Sequence, residues 1–166
     1  LMAYTRKSDA IYYPDGLARS MHLAYSLDGR QYHFLHDNYG VLFAEGKIDS
    51  ENVILPRGLK SPRLFAEKDG RFAIVAELVR ENGKSVQENE ESLFLWHTED
   101  FLYYSEPVCI SEEQITEGWT CPPEMIKGNG QAEYPEGMDE ASSLEIEDSV
   151  CEKLIHKRRG SAATRN

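Results

Sequence analysis

Residues 61–79 read SPRLFAEKDGRFAIVAELV and contain two strand-like segments on either side of a turn. Asp69 and Gly70 form a pair typical of the type I′ turns that join antiparallel strands. The apolar run at 72–79 lacks polar alternation, as expected for a strand that is buried on both faces. A helix over the same run is the alternative, but the Asp-Gly pair directly before it favours a hairpin.

Two nearly identical phrases flank this hairpin. Residues 20–28 read SMHLAYSLD and residues 92–100 read SLFLWHTED, which aligns Ser26 with Thr98 at an offset of 72 residues. Side chains in both phrases alternate with period 2, which predicts strands, and each phrase ends in a hydroxyl residue, one further residue and an aspartate. A turn and a returning strand follow each phrase, so the chain is predicted to contain three consecutive hairpins.

A repeated four-stranded antiparallel sheet is typical of β-propeller blades, which bury their faces against neighbouring blades. We therefore predict an all-β fold in which residues 1–110 form propeller-type blades. Residues 111–166 are acidic and rich in proline and glycine, and they predict a linker and a partial β-rich or irregular module. A short helix is expected at 149–159, because apolar residues share one stripe and basic residues lie near its end.

Composition narrows the classes of partner. The net charge of −11 opposes contact with phosphate backbones, so nucleic acid is not expected to bind. Three cysteines without a CxxC pair suit a reducing compartment, and no apolar run approaches the ~20 residues that cross a bilayer, so we expect a cytoplasmic protein without a membrane contact. No phosphate-binding loop or nucleophile elbow is present, and no cofactor is expected.

The order and spacing of these phrases resemble the opening blades of the five-bladed propellers of glycoside hydrolase family 43. The segments that carry the resemblance are MHLAYSLDG, FLHDNYGVLF, GLKSPRLFAEKDGRFAIVAE and SLFLWHTEDFLYYSEP, within residues 12–110. The family includes β-xylosidases, α-L-arabinofuranosidases and arabinanases. The resemblance therefore implies a partial five-bladed propeller and inverting hydrolysis of an arabinose- or xylose-containing glycan.

The resemblance also implies site residues. The family uses a general base, a second aspartate that orients, and a glutamate general acid. The candidate for the general base is Asp15 in YYPDG, although that phrase is also a turn signature and continues with Gly16 where the family has proline. Ser61 stands where the orienting aspartate is expected, and serine cannot supply its negative charge. The general acid is expected from a later blade.

Aromatic residues on or beside predicted strands are candidates for sugar contact, because sugars pack against aromatic faces. Tyr12 and Tyr13 fit sugar binding and core packing equally, whereas core packing is favoured for Trp96. The five histidines lack the spacing of a metal site, and the acidic run at 88–91 lacks the ligand pattern of a calcium loop.

Three hypotheses follow from the sequence. The first is a fragment of a family 43-like glycoside hydrolase that is inactive alone because an acid and most of the pocket are missing. The second is a non-catalytic carbohydrate-binding or interaction module on the same scaffold, which Ser61 favours. The third is a structural fragment with no activity of its own, stabilised only by partners along its open blade edges, for which the remaining blades of a longer chain are candidates.

Overall fold

The computed structural model describes residues 1–8, 19–48, 50–55, 57–80, 92–115, 119–120, 125–127 and 132–162. Two short 3₁₀ turns lie at His36–Asn38 and Glu112–Ile115, and one helix, α1, spans Asp148–Ala162. The strands are β1 (Met2–Arg6), β2 (His22–Tyr25), β3 (His33–Phe34), β4 (Lys47–Ile48), β5 (Ile54–Leu55), β6 (Arg57–Glu67), β7 (Phe72–Arg80), β8 (Leu93–Thr98), β9 (Val108–Ile110), β10 (Trp119–Thr120), β11 (Met125–Lys127) and β12 (Met138–Ser143).

Two antiparallel sheets dominate the molecule. The first has the strand order β11-β12-β1-β2-β3 and the second has the order β10-β6-β7-β8-β9, while β4 and β5 form a separate two-stranded ribbon. The structure is thus mainly β, and the predicted four-stranded sheets are confirmed with one further short strand on each. Both sheets are open, and no sheet among the described strands closes on itself.

The two sheets correspond strand for strand. Strands β1, β2 and β3 occupy the places that β7, β8 and β9 occupy in the second sheet. The neighbour of β7 on its other side is β6, which precedes it in the chain, whereas the equivalent neighbour of β1 in the first sheet is β12, which pairs antiparallel with β1. The segment after residue 110 therefore contributes to the same sheet as the chain's first strand.

Strand β7 explains how the sheets pack. Its residues 72–76 are all buried, which confirms the prediction of a strand covered on both faces. Ile74 lies in a core between the sheets, whereas Val75 lies in a second core on the opposite face. The core between the sheets also contains Ala3, Trp96 and, from α1, Leu154.

All three predicted hairpins form, but the two Asp-Gly turns are not of type I′. That turn needs positive φ at both central residues, whereas only the glycines have it: Gly29 at 70° and Gly70 at 86°. In each case the aspartate carboxylate accepts nearby backbone N–H groups, which stabilises a different loop. The predicted C-terminal helix is confirmed as α1, and no helix in the described ranges is both long and apolar enough to cross a membrane.

Candidate functional site at the junction of β6 and β12

A backbone irregularity marks the place where β6 of the second sheet meets β12 of the first. The register between β6 and β7 shifts between Lys60 and Arg63, and Ser61 has a φ of 49°. Pro62 accounts for the break, because proline lacks the N–H that a ladder needs and is found at bulges. Positive φ costs a residue with a side chain about 1–2 kcal/mol, so the surroundings must hold Ser61 in place.

Strand β12 supplies those surroundings. The N–H of Ser61 donates to Oε2 of Glu140 at 2.9 Å, and its Oγ donates to the same oxygen at 3.2 Å. Two residues further along β12, Oγ of Ser142 accepts the N–H of Leu64 at 3.0 Å. Side chains at i and i+2 of a strand share a face, so one face of β12 satisfies two backbone donors of β6.

The carboxylate of Glu140 keeps unused hydrogen-bonding capacity. The side chain is half-buried, and both of its hydrogen bonds go to Oε2, so Oε1 has no partner within the part of the chain that the structure describes. An ionised carboxylate has about four acceptor positions. Glu140 can therefore accept hydrogen bonds from the hydroxyl groups of a ligand, while Ser61 holds the carboxylate in a fixed orientation.

The described residues contain no group of three or more histidine, cysteine or carboxylate side chains suited to a metal ion. A fixed carboxylate can bind a hydroxyl or accept a proton, but inverting glycoside hydrolysis needs a second carboxyl group about 6.5–9.5 Å away.

Of the five predicted site residues, Ser61 and Trp96 lie within the described ranges. Ser61 lies at the junction, in the bulge of β6. Trp96 is 3% exposed in the core between the sheets, where its ring meets Phe94 edge-on at 5.5 Å between centroids. Its ring is covered by protein, in agreement with the favoured core interpretation. Asp15, Tyr12 and Tyr13 lie outside the described residues.

The repeated phrase has a structural origin. Oδ1 of Asp28 accepts the N–H groups two and three residues further on, at 2.8 and 2.9 Å, and Oδ1 of Asp100 accepts the equivalent pair at 2.9 and 3.4 Å. The N–H of each aspartate donates to the preceding hydroxyl, Ser26 or Thr98, at 3.4 Å. The hydroxyl-x-Asp phrase thus builds the same turn after β2 in the first sheet and after the equivalent strand β8 in the second.

These turn bonds lower the pKa of the Asp28 carboxyl to about 2. The backbone N–H groups of Gln31 and Arg30 are the main cause, followed by the hydroxyl of Ser26, because all three stabilise the charged form. The aspartates of the repeated phrase are therefore turn residues, and the repeat identifies architecture rather than a catalytic pair.

A buried polar cluster lies on the other face of the first sheet. His22 is fully buried, and its Nε2 lies 3.1 Å from Oγ of Ser20. Its ring packs against Tyr4 at 5.3 Å between centroids, and the Tyr4 hydroxyl donates to Oδ1 of Asn38. The cluster connects β1 and β2 to the 3₁₀ turn, and neither His22 nor Tyr4 faces the junction.

Sequence reasoning missed Glu140. It lies in an acidic segment, MDEASSLEIE, where no spacing or motif separates one glutamate from the next. The one usable signal is the alternation of Glu140 and Ser142 across Ala141, which becomes meaningful only when β12 is known to lie against β6. A comparison of the chain with protein families, with curated proteins and with solved structures found no match.

Proposed function

We propose that the chain is part of a sugar-active protein related to glycoside hydrolase family 43, and that the junction of β6 and β12 contacts the sugar. The observation that carries the proposal is the pair of hydrogen bonds from Ser61 to Glu140. A half-buried carboxylate with one oxygen held by the protein is well suited to bind sugar hydroxyls, because the ligand does not have to immobilise it.

We propose that the two sheets are neighbouring blades of a five-bladed propeller. Their matched strand order supports this arrangement, as does the position of β6 against β1 and β12, which brings equivalent strands of the two sheets together. Further hairpins of the same kind encoded downstream of Asn166 would complete the ring, and reading the coding sequence beyond that residue tests this part.

The proposed reaction of the complete protein is inverting hydrolysis of an arabinose- or xylose-containing glycan. In that reaction Glu140 binds and orients the sugar, while the general base, with Asp15 as candidate, and the general acid come from elsewhere. A non-catalytic carbohydrate-binding module is the second candidate. It is favoured by Ser61, a neutral residue where the resemblance leads us to expect a charged one.

Binding and turnover separate the two candidates. Calorimetry with arabino- and xylo-oligosaccharides should show binding that Glu140→Ala abolishes and that Asp139→Ala preserves. Asp139 is the matched control, because it is an exposed acid one residue away, on the opposite face of β12. Equal affinity for the two variants would overturn the role of Glu140.

Nitrophenyl arabinofuranoside and xyloside then test catalysis. Release of nitrophenol that Asp15→Asn abolishes supports the hydrolase. Sugar binding without turnover by this chain fits both candidates, whereas sugar binding without turnover by the complete protein supports the binding module. Absence of both binding and turnover with every sugar would refute the proposal for this chain.

A further inference from the structure

We draw no further inference here: the strongest candidate, the face of the β4–β5 ribbon on which the exposed side chains of Ile48 and Ile54 lie opposite each other, is an apolar surface patch, and nothing in the part of the chain that the structure describes shows what covers it.

Discussion

The backbone N–H of Ser61 donates a 2.9 Å hydrogen bond to Oε2 of Glu140, a residue 79 positions away in the chain. Ser61 lies in β6 of the second sheet, and Glu140 lies in β12, which takes the equivalent place in the first sheet. The bond therefore joins the two halves of the repeat at the point where the proposed function puts the sugar. It also makes Glu140 a structural residue, so its stability effect must be known before any loss of binding is interpreted.

Replacing Glu140 should destabilise the fold measurably. Glu140→Ala leaves the half-buried N–H of Ser61 without its acceptor and should lower the free energy of unfolding by about 1–3 kcal/mol. Glu140→Gln keeps an acceptor oxygen and should lie between that variant and the wild type. Urea unfolding measures both, with Asp139→Ala as the control that should stay within about 0.5 kcal/mol of the wild type. Equal midpoints for Glu140→Ala and Asp139→Ala would contradict the role of this bond.

Introducing an aspartate at position 61 should make stability depend on pH. Ser61→Asp would bring a second carboxyl group close to Oε2 of Glu140, where like charges raise the pKa of one of the pair above its unfolded value of about 4. The folded state then binds more protons than the unfolded state, so the variant loses stability as pH rises from about 4 through that raised folded pKa. Ser61→Asn has the same shape without the charge. The difference in unfolding free energy between the two variants should widen from pH 4 to pH 8, and a constant difference would refute the prediction.

Glycine at position 37 should relieve backbone strain in the 3₁₀ turn at His36–Asn38, where all three residues have positive φ. Asp37→Gly and Asp37→Ala both remove the carboxylate, but only glycine adopts a φ of 52° without crowding. Asp37→Gly should therefore be more stable than Asp37→Ala by about 1–2 kcal/mol. Thermal unfolding of the two variants provides the measurement. Equal stability would mean that the turn carries no strain at this residue.

Asp28 should titrate far below an ordinary aspartate. Its pKa is about 2, because backbone N–H groups and a hydroxyl stabilise the charged carboxylate. A lowered folded pKa contributes stability above the ordinary unfolded value, and that contribution is lost as pH falls from about 4 towards 2. Carboxyl ¹³C shifts followed by NMR give the pKa directly. Asp28→Asn should lose this part of the acid dependence, and a pKa near 4 in the folded protein would contradict the turn geometry.

Trp96 should behave as a core residue. Trp96→Ala removes a side chain that is 3% exposed and should cost about 3–5 kcal/mol, with Trp96→Phe costing less. In a Trp119→Phe background, iodide should quench the remaining tryptophan poorly, and added oligosaccharide should leave its emission unchanged. Strong quenching that sugar prevents would restore Trp96 as a stacking residue.

Local patterns predicted the second sheet well because its strands are consecutive. The apolar run at 72–79 and the Asp-Gly pair before it specify neighbouring strands, and β6, β7, β8 and β9 pair in chain order. The turn type was predicted wrongly, because the Asp28 and Asp69 carboxylates bind nearby N–H groups and stabilise other loops. That competition between side chain and backbone is not visible in an Asp-Gly pair alone.

The first sheet and the junction of β6 and β12 were harder to predict from the sequence. The strand β12 has the sequence MDEASS, with few β-branched or aromatic residues, so its strand character comes from its partner β1. Glu140 could not be distinguished from the neighbouring acidic residues, because its importance depends on a contact with a residue 79 positions away. Asp15, Tyr12, Tyr13 and a cytoplasmic location remain predictions of the sequence.

The pairing of β1 with β12 also has a consequence for how the chain is made. The strands β6, β7, β8 and β9 precede β12 in the chain and leave the ribosome before it, whereas Met2 of β1 pairs with Ser143 of β12. One edge of β1 therefore stays unpaired until Met138–Ser143 has emerged. A pairing between strands so far apart in the chain also forms slowly. During synthesis, that waiting edge is where a chaperone would bind or a premature aggregate would start.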